Sequence, residues 1–151
     1  MLYFAYGSKT HPEELHKYCP KAKFHSLYEL KGYTLVFEGY SIGYGLTGTA
    51  NIRRSPGSSV WGVLWDIPED ELALLDADEG AHTEYEPGPH NEYERVRFTL
   101  EDGTPFFLYY LVKPHVKNRP CLKYYMELLK GYSHFDLDLK QLRKAYRESS
   151  I

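Results

Sequence analysis

The sequence has little cysteine, no long hydrophobic run and no basic tract, and each shortage excludes a class of protein. The two cysteines, Cys19 and Cys121, stand in no metal-binding or redox spacing, which argues against a disulfide scaffold and a zinc finger. No stretch approaches the roughly 20 apolar residues of a membrane-spanning helix, so no membrane association is predicted. The first residues lack the basic and apolar segments of a signal peptide, and unpaired thiols favour a cytoplasmic location.

Charge and histidine spacing do not favour a nucleic-acid or metal partner. The net charge is −3 and no basic run extends beyond a pair such as Arg53-Arg54, whereas nucleic-acid binding needs many phosphate-neutralising cations. None of the seven His residues belongs to an H-E-x-x-H or comparable ligand spacing. A G-x-G-x-x-G run at residues 43–48 is followed by strand-like residues rather than a helix, which argues against a dinucleotide. We therefore predict a protein without a cofactor.

Aromatic residues are abundant, with 15 Tyr, 7 Phe and 2 Trp in 151 residues. A tyrosine packs an apolar ring while presenting a hydroxyl group, which suits either a lined pocket or a tyrosine-rich core. Both interpretations stay open from composition alone. The length predicts one domain, covering residues 1–151, that can bury a proper core.

The order of predicted elements is typical of the α+β class. Strand-like segments occupy residues 2–5, 24–32, 33–38, 49–54, 60–66, 93–100 and 106–112, and helix-like segments begin near Pro12, Pro68, Pro120 and Leu137. The Ser55-Pro56-Gly57 sequence is expected to end the strand before it, and Gly62 predicts a close approach by another backbone or a ligand. The order favours a mixed or largely antiparallel sheet that closes into a small barrel.

The first eight residues predict a buried strand that runs directly into a tight loop. Residues 2–5 are apolar or aromatic without a polar break, and Gly7 permits backbone angles closed to other residues. Thr10 and Glu13 have the spacing of a capping box, with Pro12 in the first helical turn. Free amides in such a loop favour anions and carboxylates, although an ordinary strand-to-helix turn has the same pattern.

Glu79 is the sharpest single candidate for chemistry. Its spacing from Leu72 and Leu75 places it on the stripe that the helix buries. Burial, the negative end of the helix dipole and the neighbouring acids Asp76 and Asp78 each raise the pKa of a carboxyl group, which suits a general base. The alternative interpretation is a solvated acidic helix end.

Two residues that could act as nucleophiles, Cys121 and Ser8, have less support than Glu79 as candidates for chemistry. Cys121 has no His or acid tied to it by a local signature, so a small buried thiol is the better interpretation. Ser8 lacks the G-x-S-x-G motif of a nucleophile elbow.

Three short motifs follow one another along the chain. Residues 2–8 read L-Y-F-A-Y-G-S, residues 60–65 read V-W-G-V-L-W and residues 75–80 read L-D-A-D-E-G. They resemble the γ-glutamylcyclotransferase family, in which a strand ending Y-F-A-Y-G-S-N, a V-W-G-V strand and an L-D-x-x-E-G helix end recur in this order. The resemblance continues through the hairpin into the helix after Pro120, and so covers nearly the whole chain.

The resemblance implies an α+β fold, a small mixed β-barrel with peripheral helices, and conversion of a γ-glutamyl amino acid or amine to 5-oxoproline, a reaction of glutathione metabolism. It implies Glu79 as the general acid/base and no cofactor. It also implies a substrate-binding set made of Tyr3, Phe4, Ala5, Tyr6, Gly7, Ser8, Tyr85 and Tyr124. Two alternatives stay open, an enzyme of the same fold that removes a γ-glutamyl group from a pathway-specific substrate and a non-catalytic binding module. A monomer and a homodimer are both compatible with the sequence.

The chain departs from the family pattern at two places. Lys9 stands where the family has Asn, and it either points outward or adds a cation that prefers an acidic substrate. The family often has a Tyr just after the Pro that opens the late helix, and here Leu122 or Tyr124 falls near that place.

Overall fold

The opening strand lies in the middle of a five-stranded sheet. The structure is a computed structural model that describes residues 1–41, 47–79, 93–111 and 116–149. Its strands are β1 (Leu2–Ala5), β2 (Lys23–Ser41), β3 (Thr47–Asp66), β4 (Tyr93–Thr99) and β5 (Pro105–Leu111), in the spatial order β2-β3-β1-β5-β4. β1 pairs antiparallel with β3 and parallel with β5. The mixed α+β class is therefore confirmed, and β1 is buried because strands flank both of its edges.

The sheet is open rather than a closed barrel in the part of the chain that the structure describes. β2 and β4 are its outer strands, and no ladder joins them in that part. A ring contact between Tyr33 of β2 and Phe98 of β4, with centroids 5.8 Å apart, brings the two outer strands together through side chains only. The closure expected from the sequence is therefore a side-chain contact rather than a hydrogen-bonded seam.

The two longest strands are continuous where the sequence predicted breaks. Residues 55–58 of β3 lie opposite Gly32 alone, between the pairs Lys31–Ser59 and Tyr33–Arg54. Gly32 and Gly57 have φ values of +86° and +84°, which only glycine adopts easily. The Ser-Pro-Gly segment is thus absorbed as a bulge and does not end β3.

Gly62 explains how closely β3 approaches β1. A Cβ atom at this position would lie 2.4 Å from the carbonyl oxygen of Ala5 and 2.7 Å from the ring of Phe4. The close backbone approach predicted from the sequence is therefore confirmed. It fixes the end of β1, from which the Tyr6-Gly7-Ser8 loop begins.

In the described part of the chain, four α-helices and two 3₁₀ turns pack around the sheet. The helices are α1 (Pro12–Leu15), α2 (Leu72–Glu79), α3 (Leu122–His134) and α4 (Lys140–Glu148), and the turns are Ser8–Thr10 and Glu69–Glu71. α3 lies directly against the first turn, since a Cβ at Gly131 would come within 2.1 Å of the Thr10 hydroxyl. Within the described ranges, no helix has the length and apolar character needed to cross a membrane.

Candidate active site

The loop after β1 has its carbonyl groups occupied and its amides available. Tyr132 of α3 donates a hydrogen bond to the Tyr6 carbonyl at 2.8 Å, and the Thr10 hydroxyl donates to the Gly7 carbonyl at 2.7 Å. The amides of Gly7 and Ser8 donate to no acceptor in the described ranges. Thr10 therefore closes the loop instead of capping α1, whose N-cap residue is His11 and not the predicted Thr10.

Glu79 lies at the end of α2 with its carboxyl group turned inward. Leu75, one turn earlier, is fully buried, and the Glu79 side chain is 16% exposed. Its Oε1 accepts a hydrogen bond from Lys9 Nζ at 2.7 Å, and the same ammonium donates to Asp78 Oδ2 at 2.6 Å. Since Lys9 follows Ser8 directly, one side chain joins the loop to the helix end that carries Glu79.

Lys9 therefore does not point outward, which was one of the two alternatives at the sequence level. Its side chain is 7% exposed and its ammonium lies 5.3 Å from the centre of the Tyr18 ring. Burial lowers the pKa of Lys9, but the carboxylates of Glu79 and Asp78 raise it, and the net result is a pKa well above the usual range. Lys9 is thus a buried cation stabilised by two carboxylates.

The tyrosines of β1 and the loop share the electrostatic environment of Glu79. Burial raises the pKa of Tyr3 well above its usual range, and the Glu79 carboxylate raises it further. Burial also raises the pKa of Tyr6, to which the Glu79 carboxylate again contributes. Both phenols are therefore neutral hydrogen-bond donors at physiological pH. The Tyr6 hydroxyl donates to the carbonyl of Tyr109 on β5.

Three further tyrosines surround the same region from other elements. The Tyr124 hydroxyl accepts a hydrogen bond from the Ala50 amide at 2.9 Å, and a Cβ on Gly7 would lie 3.7 Å from that hydroxyl. Tyr93 donates to the Ala50 carbonyl at 2.7 Å. Tyr109 donates to the Asp76 carboxylate, one turn before Glu79 on α2. Five elements thus bring tyrosine hydroxyls and one acidic helix end together.

The predicted site residues divide into those at this region, those in the core and one outside the described ranges. Phe4 is fully buried against Tyr28 and Phe106, and Ala5 is 1% exposed, so only their backbones could reach a ligand. Tyr85 lies outside the described residues.

The late helix resolves the choice between its two candidate positions. Leu122 is 76% exposed, whereas Tyr124 is 6% exposed and its hydroxyl lies near Gly7. Of the two, Tyr124 is therefore the residue beside the loop.

Sequence reasoning missed Tyr93 and Tyr109. Tyr109 belongs to an apolar strand, in which its hydroxyl group was the one sign of a polar role. Its ring contacts the ring of Tyr3 edge-on, with the two centroids 5.7 Å apart. Tyr93 begins β4 and resembles an ordinary strand residue. In the described residues, no group of three or more His, Cys, Asp or Glu side chains is arranged to hold a metal ion.

A family model and two curated relatives that match this chain are described as γ-glutamylcyclotransferases. A family model described as "Gamma-glutamyl cyclotransferase, AIG2-like" matches residues 3–127. The chain is 40% identical over 82 residues to the bovine (Bos taurus) gamma-glutamylcyclotransferase, an alignment that covers 52% of this chain and 44% of that protein. The human protein of the same name is 39% identical over the same shares. The alignments thus span a little under half the length of these curated relatives.

A solved structure described as "Gamma-glutamyl cyclotransferase" superimposes on nearly the whole chain. It covers 96% of this chain and 85% of its own, with a TM-score of 0.77 and 26% sequence identity. The similarity in fold therefore extends over almost the whole chain.

Proposed function

Since this chain belongs to the γ-glutamyl cyclotransferase, AIG2-like family, we propose that it converts a γ-glutamyl amino acid or a γ-glutamyl amine to 5-oxoproline and releases the free amino acid or amine. One observation supports the proposal most directly. The Glu79 carboxylate is mostly buried and is tied through Lys9 to the loop whose amides lack acceptors in the described ranges. A proton acceptor and oxyanion donors are thereby brought to one region.

Glu79 is proposed as the general acid/base. The α-amine of a γ-glutamyl group is an ammonium at neutral pH and must lose a proton before it attacks. Glu79 accepts that proton, the amine nitrogen bonds to the γ-carbonyl carbon, and a tetrahedral intermediate forms. The same carboxyl group then donates the proton to the leaving nitrogen as the original C–N bond breaks. The ring nitrogen loses its second proton in the same collapse, and the released amine carries it away as an ammonium. Atoms balance without a covalent enzyme intermediate, because the nucleophile belongs to the substrate.

The loop is proposed to bind the negative groups of the substrate. The amides of Gly7 and Ser8 are suited to the glutamyl carboxylate or to the developing oxyanion. The buried side chains of Tyr3, Tyr6 and Tyr124 form the remaining sides of the site. The protein then acts chiefly by folding the substrate into attack geometry, a contribution that reaches roughly 7–11 kcal/mol in well-oriented intramolecular reactions.

The test is 5-oxoproline release from a panel of γ-glutamyl dipeptides and γ-glutamyl amines, comparing wild type with Glu79→Gln. We expect Glu79→Gln to lower kcat about 100-fold or more, the usual scale for a lost general base. Glu71→Gln is the matched control, because Glu71 is a buried carboxylate whose oxygens accept from the Lys21 amide at 3.1 and 3.3 Å, away from the loop. Equal turnover by wild type and Glu79→Gln would remove Glu79 from the mechanism.

A binding module is the second candidate, because Lys9 already occupies one oxygen of Glu79. It predicts thermal stabilisation by γ-glutamyl ligands in both wild type and Glu79→Gln, with no product from any substrate. Turnover of a larger γ-glutamyl amide, without turnover of dipeptides, would instead identify the pathway-specific enzyme.

We propose a cytoplasmic location with this activity, since neither Cys19 nor Cys121 forms a disulfide bond within the described residues. Fractionation of cells producing the protein tests it. Light scattering separates a 17.6-kDa monomer from a homodimer.

A further inference from the structure

Lys9 is the one lysine or arginine that is buried within the described ranges. Its ammonium is directed to two carboxylates, Asp78 at 2.6 Å and Glu79 at 2.7 Å, which both lie at the end of α2. Burying a cation has a desolvation cost that only close, well-oriented anions offset. The buried position of Lys9 therefore points to a role that an exposed lysine could not fill.

The position of Lys9 in the chain couples the two halves of the site. It follows the Gly7-Ser8 pair directly, and it reaches helix residues about 70 positions later. Glu79 Oε1 accepts from Lys9, whereas Oε2 has no hydrogen-bond partner in the described residues. The side chain thus fixes one oxygen of Glu79 and leaves the other for a ligand.

We propose that Lys9 is a positioning residue for ring closure, which holds Glu79 by Oε1 so that Oε2 receives the proton of the substrate α-ammonium. The inference rests on the proposed function and deepens it. Lys9, Asp78 and Glu79 together carry a charge of −1, so one substrate ammonium brings the cluster to neutrality. After proton transfer to Glu79, the Lys9–Asp78 pair remains neutral by itself, and the leaving nitrogen takes the proton back.

Direct binding of the substrate carboxylate by Lys9 is the competing role. For this, a substrate carboxylate would have to reach the third N–H of a buried ammonium that already donates to Asp78 and Glu79, in a side chain that is only 7% exposed. The two roles differ in kinetics. A positioning residue acts on kcat, because ground-state binding survives while the proton acceptor is misplaced, whereas a binding residue acts on KM.

The experiment compares Lys9→Met, Asp78→Asn and the double variant Lys9→Met/Asp78→Asn with wild type, on the γ-glutamyl substrate that wild type turns over fastest. Lys21→Met is the matched control, because Lys21 pairs with Asp70 at 2.9 Å on the surface, where both side chains are more than 60% exposed. For Lys9→Met we expect kcat to fall roughly 10- to 100-fold, the scale of a misplaced catalytic group. We expect KM to stay within about threefold of wild type and Lys21→Met to match wild type.

The double variant distinguishes the loss of the Lys9 hydrogen bond from the change in net charge of the cluster. It also gives a second protein to measure if Lys9→Met does not fold. Lys9→Met alone leaves two carboxylates without their cation, whereas the double variant restores the charge of −1 and leaves no second acid to repel Glu79. We expect it to fold, by its melting temperature, and to remain as slow as Lys9→Met. Asp78→Asn keeps the Lys9–Glu79 hydrogen bond and should lose only about threefold in kcat.

Each result decides the role of Lys9. Wild-type kcat in Lys9→Met, recovery of kcat in the double variant, or a KM raised tenfold with kcat unchanged would overturn the positioning role. If one of these results is found while wild type is active and Glu79→Gln is inactive, only the positioning role of Lys9 is refuted. The proposed function is then unaffected. A wild type that releases no 5-oxoproline from any γ-glutamyl compound refutes the proposed function and this inference with it.

Discussion

Replacing Tyr132 by Phe tests how α3 supports the loop. The Tyr132 side chain is fully buried, donates to the Tyr6 carbonyl at 2.8 Å and accepts from Gln141 Nε2 at 2.7 Å. Gln141 in turn pairs with both backbone groups of Trp61, each at 2.8 Å. A single hydroxyl therefore joins the loop to α4 and to β3.

Removal of this hydroxyl leaves a buried carbonyl without its donor. The cost of such an unsatisfied group is about 1–3 kcal/mol, so we expect the free energy of unfolding to fall by about 2 kcal/mol. With a urea m-value of about 2 kcal/mol/M, the midpoint of unfolding should move down by about 1 M. The melting temperature should fall by roughly 4–8 °C for a protein of this size.

The measurement is urea unfolding followed by tryptophan fluorescence. Tyr125→Phe provides the control, since it makes the same chemical change about two turns earlier in α3, at a hydroxyl with no hydrogen bond to another described residue. A change of less than 0.5 kcal/mol in Tyr132→Phe, judged against the roughly 1 kcal/mol of an ordinary hydrogen bond, would show that the loop does not depend on this hydroxyl.

Three further predictions concern β1 and the site. Gly62→Ala should lower the free energy of unfolding by about 1–3 kcal/mol, because its Cβ would lie 2.4 Å from the Ala5 carbonyl oxygen; unchanged urea midpoints would contradict the close approach. The free energy of unfolding should fall above about pH 10, because the folded state raises the pKa of Tyr3 and retains a proton that the unfolded state releases. Tyr3→Phe should make that fall smaller by about 1 kcal/mol between pH 10 and 11, and an identical fall in both proteins over that range would refute it. Tyr124→Phe should lower kcat/KM about tenfold, since it removes the hydroxyl beside the loop and leaves the Ala50 amide without its acceptor; wild-type kinetics would exclude a role for that hydroxyl.

The local sequence pattern was sufficient to predict the features that depend on residue spacing or on a glycine. The apolar run 2–5 became β1, and Gly62 predicted the contact with Ala5. The spacing of Leu72, Leu75 and Glu79 correctly indicated that the carboxyl group turns inward, because helix geometry alone fixes that direction.

Features that depend on distant residues could not be predicted in this way. The direction of Lys9 is set by two carboxylates about 70 positions later, a contact with no local signature. Thr10 fits a capping box in sequence, but the Gly7 carbonyl is its partner once the loop forms. The Ser55-Pro56-Gly57 break was absorbed because the facing strand offers Gly32 as its bulge partner.

The central place of β1 in the sheet has a consequence for synthesis of the chain on the ribosome. Leu2 is translated before its parallel neighbour Phe106, which is made 104 residues later. Until then β1 has an unpaired edge, which is the kind of surface that joins other chains. The nascent protein must therefore keep β1 sheltered until β5 has been made, and a ribosome that stalls before β5 would release a fragment prone to aggregation.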